Sequence, residues 1–146
     1  MSGYKERNLQ KTDYNKNYLQ LLQQLTIIDP DKISNELFST FVDNLSNKHQ
    51  IYVIEDTKLN IIIGTITILI EPKLIHTMGL VCHIEDIVVH EDFRGLKLSK
   101  KLINKGIDVA KNCGCYKIIL DCNNVNIGLY EKCGFIHNGN QLSLYL

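Results

Sequence analysis

Residues 83–100, His83-Ile-Glu-Asp-Ile-Val-Val-His-Glu-Asp-Phe-Arg-Gly-Leu-Lys-Leu-Ser-Lys100, decide how the chain is read. The run Val81 to Val89 is rich in β-branched residues and reads as a strand, interrupted by the acidic pair Glu85-Asp86. Arg94-Gly95 then marks a turn. From Gly95 to Lys111 the apolar positions Leu98, Leu102, Ile103, Ile107 and Ala110 recur at helical spacing, and Cys113-Gly114 closes the helix. A strand that passes through a basic turn into a helix ends at unpaired amides and a positive dipole, so the junction can hold an anion. Lys97, Lys100 and Lys101 add positive charge there. Neither G-x-x-x-x-G-K-[ST] nor G-x-G-x-x-G occurs, so the turn is not a nucleotide loop of either kind.

Downstream, Lys117 to Cys122 reads as a strand, Asn126 to Lys132 as a short helix, and Phe135 onward as a final extended segment. Upstream, Ile51 to Ile54 and Ile61 to Ile70 read as strands joined through the Asp56–Asn60 turn, with Pro72 at the end of the second and a loop from Lys73 to Gly79 beyond. The spacing of Tyr14, Tyr18, Leu21, Leu22 and Leu25 predicts a helix between Tyr14 and Ile28, ended by Asp29-Pro30-Asp31. A second helix runs from Ser34 to Leu45 with Ser34 as its cap, and Tyr4 to Leu9 reads as a short edge strand.

The 146 residues fit a single domain, 1–146, without a linker, and 45% hydrophobic content with two prolines suits a packed core. Lys and Arg total 16 against 16 Asp and Glu, which argues against nucleic acid or an anionic membrane as partner. The polar start MSGYKERNLQ has no apolar leader, and the most apolar stretch, Ile61 to Ile70, is broken by Gly64, Thr65 and Thr67, so a cytoplasmic protein without membrane insertion is expected. Five cysteines without a C-x-x-C pair suggest reduced thiols, with neither a disulfide framework nor a metal site. The neutral total hides segregation. Between Arg94 and Lys111 six cations face Asp108 alone, while Glu85, Asp86, Glu91 and Asp92 precede them.

The strand, basic turn and helix, followed by Asn126 and Tyr130-Glu-Lys-Cys-Gly-Phe135, resemble the GNAT superfamily of N-acetyltransferases. More narrowly, His83-Ile-Glu-Asp-Ile-Val-Val89, Cys115-Tyr-Lys-Ile-Ile-Leu-Asp-Cys122 and Tyr130-Glu-Lys-Cys-Gly-Phe135 are similar to the eukaryotic-type glucosamine-6-phosphate N-acetyltransferases, a likeness that covers nearly the whole chain and is weak before Tyr14. It implies an α/β (α+β) fold in which helices flank a mixed, mostly antiparallel sheet, with acetyl-CoA lying where the central strand splays from its neighbour. It also implies a homodimer whose acceptor pockets are completed across the interface, with Leu142 to Leu146 a candidate contributor. The implied product, N-acetylglucosamine 6-phosphate, would feed UDP-N-acetylglucosamine synthesis.

The resemblance assigns Ile87, Val88 and Val89 to the cofactor cleft, and Arg94, Gly95, Leu96, Lys97, Leu98, Ser99 and Lys100 to the pyrophosphate loop. Asn126, Tyr130, Glu131 and Lys132 follow as further cofactor contacts. Tyr130 is the implied acid toward the leaving thiolate, because a phenol donates a proton while remaining neutral beforehand. For the aminosugar it points to Thr26, Lys73, His76, Glu85, Asp86, Ile87, Tyr116, Lys117 and Asp121. Cations suit the phosphate ester, carboxylates suit the ammonium and hydroxyls, and Asp121 orients the amine and helps remove its proton. In a regular strand Glu85 and Asp86 face opposite sides, so one of them points into the pocket.

Two departures from the family pattern stand out. Lys97 and Ser99 occupy positions where the loop favours small residues, and Tyr145 stands about where a terminal arginine would meet the phosphate. The alternatives are a related enzyme acting on a polyamine or protein N-terminus, and a non-catalytic acyl-CoA-binding module. Cys82, Cys122 and Cys133 raise an acyl-cysteine route, but no histidine forms a recognisable dyad with them.

Overall fold

β-branched runs on both sides of the Asp56–Asn60 turn form the hairpin at the centre of the computed structural model, which describes residues 3–146. β2 (His49–Asp56) and β3 (Ile61–Pro72) pair antiparallel. The Asp56 carboxylate accepts from the Lys58 and Leu59 amides at 2.9 and 3.0 Å and shapes the turn. β1 (Tyr4–Asn8) pairs antiparallel with β2, β4 (Leu80–Val89) antiparallel with β3, and β5 (Lys117–Ile119) parallel with β4. The resulting order β1-β2-β3-β4-β5 is the mixed, mostly antiparallel sheet that the resemblance implied.

Both faces of this sheet are covered, which is why β3 reads as an almost continuous apolar run. On one face α1 (Tyr18–Leu22) and α2 (Asn35–Asp43) pack Tyr18, Leu19, Leu21 and Phe38 onto Ile51, Val53, Ile62 and Val88. On the other, α4 (Leu98–Asn112) packs Leu98, Leu102, Val109 and Ala110 onto Ile54, Ile63, Ile66, Ile68 and Ile84. Gly106 allows the closest approach: a Cβ there would stand 2.9 Å from Ile84 Cδ1. α3 (Ile75–Met78) is one turn between β3 and β4, and α5 (Ile127–Glu131) follows a 3₁₀ turn at Asn124–Asn126.

The helix expected from Tyr14 to Ile28 is divided. A 3₁₀ turn at Lys11–Asn15 precedes α1, and Asn17 adopts a left-handed conformation between them (φ 58°). The Lys16 carbonyl accepts the Ile62 amide of β3 at 2.9 Å, so it serves the sheet instead of a helix. Asp29-Pro30-Asp31 belongs to a separate 3₁₀ turn, Pro30–Lys32. The Ser34 cap is present, its hydroxyl accepting the Leu37 amide at 3.1 Å.

Two expectations downstream of α4 are corrected. The strand read over Lys117 to Cys122 ends at Ile119, because β5 pairs only with Val81, Cys82 and His83 before β4 diverges. The segment from Phe135 onward contains no strand and leaves Ile136, Leu142, Leu144 and Tyr145 largely in solvent. No other strand of the described chain pairs with it.

Candidate active site

Where β4 leaves β5, a cleft of about 390 Å³ opens. Its walls come from β4 (Ile84, Glu85, Asp86, Ile87), the residues after β5 (Leu120, Asp121, Cys122, Asn123), Asn126 and Tyr130, the turn after α1 (Leu25, Thr26), and Gln141. From Ile84 onward the β5-facing edge of β4 has no strand partner among the described residues. Its backbone groups are therefore available to a ligand lying along the splay. A second depression of about 410 Å³, between α2 and β2, contains His49 but no carboxylate, lysine or arginine.

The β4 wall is shaped by a bulge. Thr65 pairs with Val88 whereas Thr67 pairs with Glu85, so Asp86 and Ile87 together oppose Ile66, and Asp86 takes a positive φ of 50°. A bulge cancels the alternation of a regular strand. Both Glu85 and Asp86 consequently line the cleft, correcting the expectation that only one would. Burial, then the nearby charges of Asp121 and Asp86, push the Glu85 carboxyl above its ordinary range, although His83 opposes them. Three carboxylates gathered in one cleft provide for a cationic group such as an ammonium.

Tyr130 ends the cleft from α5. Its ring meets Phe135 edge-on at 6.0 Å, and its carbonyl accepts the Cys133 and Phe135 amides at 2.9 and 3.1 Å, which fixes the Tyr-x-x-x-Gly-Phe segment as a unit. Burial pushes the Tyr130 phenol up, reinforced by Cys122, Cys133 and Asp121 nearby. The hydroxyl is therefore a protonated donor at neutral pH. Cys122 lines the same cleft, with Leu25, Leu120, Asn123 and Gln141, none of which the sequence reading placed there. The shortness of β5 explains most of these omissions: residues 120–123 leave the sheet and line the cleft with β4.

Val88 and Val89 bury their side chains, so only their backbone is left to face a cofactor. Beyond β4, a 3₁₀ turn at Glu91–Phe93 leads to Arg94, then to Gly95 (φ 84°) and Lys97 (φ 60°), and α4 starts at Leu98. No side chain caps α4 and no acidic residue lies in its first turn. The amides of Leu98, Ser99 and Lys100 thus have no helical partner, and a Cβ at Gly95 would meet open space. This geometry fits a pyrophosphate, and Lys97 accepts the left-handed conformation that the loop requires. Leu96 is exposed on the loop, while Glu131 and Lys132 are exposed at the end of α5.

Four residues expected at the acceptor lie elsewhere. Lys73, His76, Tyr116 and Lys117 cluster at the opposite end of β4 and β5, where His76 stacks on Tyr116 at 4.1 Å and the Lys117 ammonium lies 5.8 Å from the Tyr116 ring centre. Lys73 is paired with Glu71 at 3.0 Å, and Glu71 also meets His83 at 2.9 Å. Lys117 is in register with Val81, five residues before Asp86. At a strand rise of about 3.3 Å this cluster lies on the order of 15 Å from the carboxylates of its own chain. Tyr145, 93% exposed in the terminal segment, is also outside the cleft.

A strand splayed over an uncapped helix start, with a tyrosine closing the cleft, defines an acetyltransferase of the GNAT type. The pattern of the Acetyltransferase (GNAT) family matches residues 8–135, and the chain belongs to this family. Among its relatives, glucosamine 6-phosphate N-acetyltransferase 1 of Dictyostelium discoideum is 39% identical over 147 residues, covering 99% of this chain and 92% of the relative. Glucosamine 6-phosphate N-acetyltransferase of Candida albicans is 41% identical over 140 residues, covering 94% and 92%. The crystal structure of glucosamine-6-phosphate N-acetyltransferase from Arabidopsis thaliana superimposes with a TM-score of 0.93 at 37% identity, covering 97% of each chain.

Proposed function

We propose that this chain transfers the acetyl group of acetyl-CoA to the amine of glucosamine 6-phosphate, giving N-acetylglucosamine 6-phosphate and coenzyme A. The observation that carries this reading is the convergence of Glu85, Asp86, Asp121 and Tyr130 on one cleft at the β4–β5 splay. The pyrophosphate lies on the amides at the start of α4, with Arg94 and Lys97 adding charge, and the pantetheine runs along the open edge of β4 beside Ile87, Val88 and Val89. The thioester then lies between the bulge and Tyr130.

In the ternary complex the sugar ammonium is held by the carboxylates, and Asp121 takes a proton from it. The free amine attacks the thioester carbonyl, and a backbone amide of the central strand meets the oxyanion. As the C–S bond breaks, Tyr130 protonates the leaving thiolate, and the attacking nitrogen gives up its second proton, which restores the phenol. Positioning and oxyanion stabilisation supply most of the acceleration. No step passes through Cys122, and Thr26 contributes a hydroxyl to the sugar.

The phosphate is met by Lys73, His76, Tyr116 and Lys117 of a second copy of the chain, with Tyr145 as a hydrogen-bond donor. Two features support a homodimer: the distance between this cluster and its own cleft, and the apolar segment Leu142 to Leu146 lying uncovered in solvent. Purified protein given acetyl-CoA and assayed for free thiol tests the reading. Release with glucosamine 6-phosphate should exceed release with glucosamine, spermidine or a peptide; faster release without any amine would sink it.

A further inference from the structure

The acceptor wall and the pyrophosphate loop are far apart in sequence but joined by one side chain. Gln24, half-buried after α1, offers its Oε1 to the Glu91 amide, which donates to it at 2.9 Å. Glu91 opens the 3₁₀ turn that leads through Arg94 to the start of α4. Leu25 and Thr26, the next two residues after Gln24, line the cleft.

The rest of this segment is held by bonds back into α1 and by Ile28, which packs against the core cluster under α1 and α2. The Leu25 and Thr26 amides both donate to the Leu22 carbonyl at the end of α1, and the Gln23 side chain donates to the Ile28 carbonyl, so these bonds are all local in the chain. Ile27 is fully exposed. Among the described residues, apart from the amides of residues 23–26 that donate back into α1, the Gln24–Glu91 bond is the one hydrogen bond joining residues 23–28 to another element. On the loop side, the His90 amide donates to the Ile63 carbonyl at 2.8 Å, so the connector is anchored to β3 at His90 and to the acceptor wall at Glu91.

We propose that Gln24 is a positioning residue that couples cofactor binding to acceptor binding, through its bond to the turn that leads into the pyrophosphate loop. This rests on the functional reading above, which places the cofactor on that loop and the sugar against Thr26. An anion bound at the start of α4 restrains the connector, and Gln24 passes the restraint to Leu25 and Thr26. The sugar phosphate then meets a wall that is already ordered and loses less freedom in binding to it. The coupling is reciprocal, since each ligand must favour the other by the same factor.

Calorimetric titration of glucosamine 6-phosphate into the full-length protein, with and without saturating coenzyme A, tests this. In the native protein coenzyme A should tighten sugar binding about fivefold or more. Gln24→Leu, which keeps the bulk and removes the acceptor oxygen, should reduce that factor to below about twofold while the KM for acetyl-CoA stays within about twofold. Gln24→Glu keeps an oxygen able to accept the same amide, and should restore the coupling. A purely structural role would instead lower the thermal midpoint of Gln24→Leu and leave the coupling factor intact, which overturns the proposal. So does native protein that acetylates glucosamine 6-phosphate without any coupling. Native protein that binds coenzyme A but does not acetylate the sugar overturns the functional reading, and this inference with it.

Discussion

Residues 4–110 and residues 111–146 have opposite characters. The first part contains every buried residue of the described chain, and beyond Ala110 none is buried. It also holds a shielded ion network: Arg7 donates to Asp13 at 2.7 Å through each of two nitrogens and to Glu55 at 2.6 and 3.0 Å, and Lys16 donates to Glu55 at 2.6 Å. The second part holds Asp121, Asn126 and Tyr130, yet exposes Ile136, Leu142, Leu144 and Tyr145. A sheet buried on both faces is complete in one chain. A chemically equipped segment with uncovered apolar residues reads as one completed by assembly.

Four measurements test that contrast. Tyr130→Phe should lower turnover about a hundredfold or more, the low end of what a positioned proton donor contributes, with the KM for acetyl-CoA nearly unchanged. Unchanged turnover would remove Tyr130 from its role. In the same region, joint replacement Leu142→Asp and Leu144→Asp should convert the proposed dimer into a folded monomer in sedimentation, and lower activity at dilute sugar phosphate about tenfold or more. A dimer that survives the change would show that its interface lies elsewhere.

Lys73→Ala tests the cation cluster: kcat/KM should fall about tenfold for glucosamine 6-phosphate and much less for glucosamine. Equal losses on both would contradict phosphate recognition. The smallest effect belongs to the first part. Burial alone would push Glu55 up, but the hydrogen bonds from Lys16 and Arg7 outweigh it and hold its carboxyl below the ordinary range. A depressed carboxylate contributes stability above its unfolded pKa and loses it as pH falls through the folded value. The stability lead of native protein over Glu55→Gln should therefore shrink on acidification below about pH 4. A constant gap in denaturant unfolding across that range would refute the assignment.

The sheet was legible because β-branched runs and Pro72 mark β2, β3 and β4 locally, and α2 because Ser34 precedes its apolar face. Features set by distant partners were not. The spacing around Tyr14 and Tyr18 continues through Asn17, but Ile62, some 45 residues on, claims the Lys16 carbonyl. Likewise Ile118-Ile119-Leu120 has strand chemistry, while the extent of β5 depends on where β4 diverges. The bulge at Asp86 joins these cases. Glu85 and Asp86 were identified as a pair in need of a role, but only the pairing of Thr65 with Val88 and of Thr67 with Glu85 turns both into the cleft. Tyr130, Asp121 and Thr26 were legible from the resemblance, whereas Cys122 and Gln141 depend on how the chain turns after β5.

The proposed acetyl-transfer site takes its carboxylates and Tyr130 from one chain and its phosphate-binding cations from another. Mixing the Tyr130→Phe and Lys73→Ala proteins under conditions that exchange subunits tests it directly, with activity read on dilute glucosamine 6-phosphate. If the cations act across the interface, each mixed dimer contains one site with both residues intact, and activity should rise to about a quarter of the native value at statistical mixing. Activity that remains at the average of the two variants, while the mixed dimer is demonstrably present, would contradict the shared site.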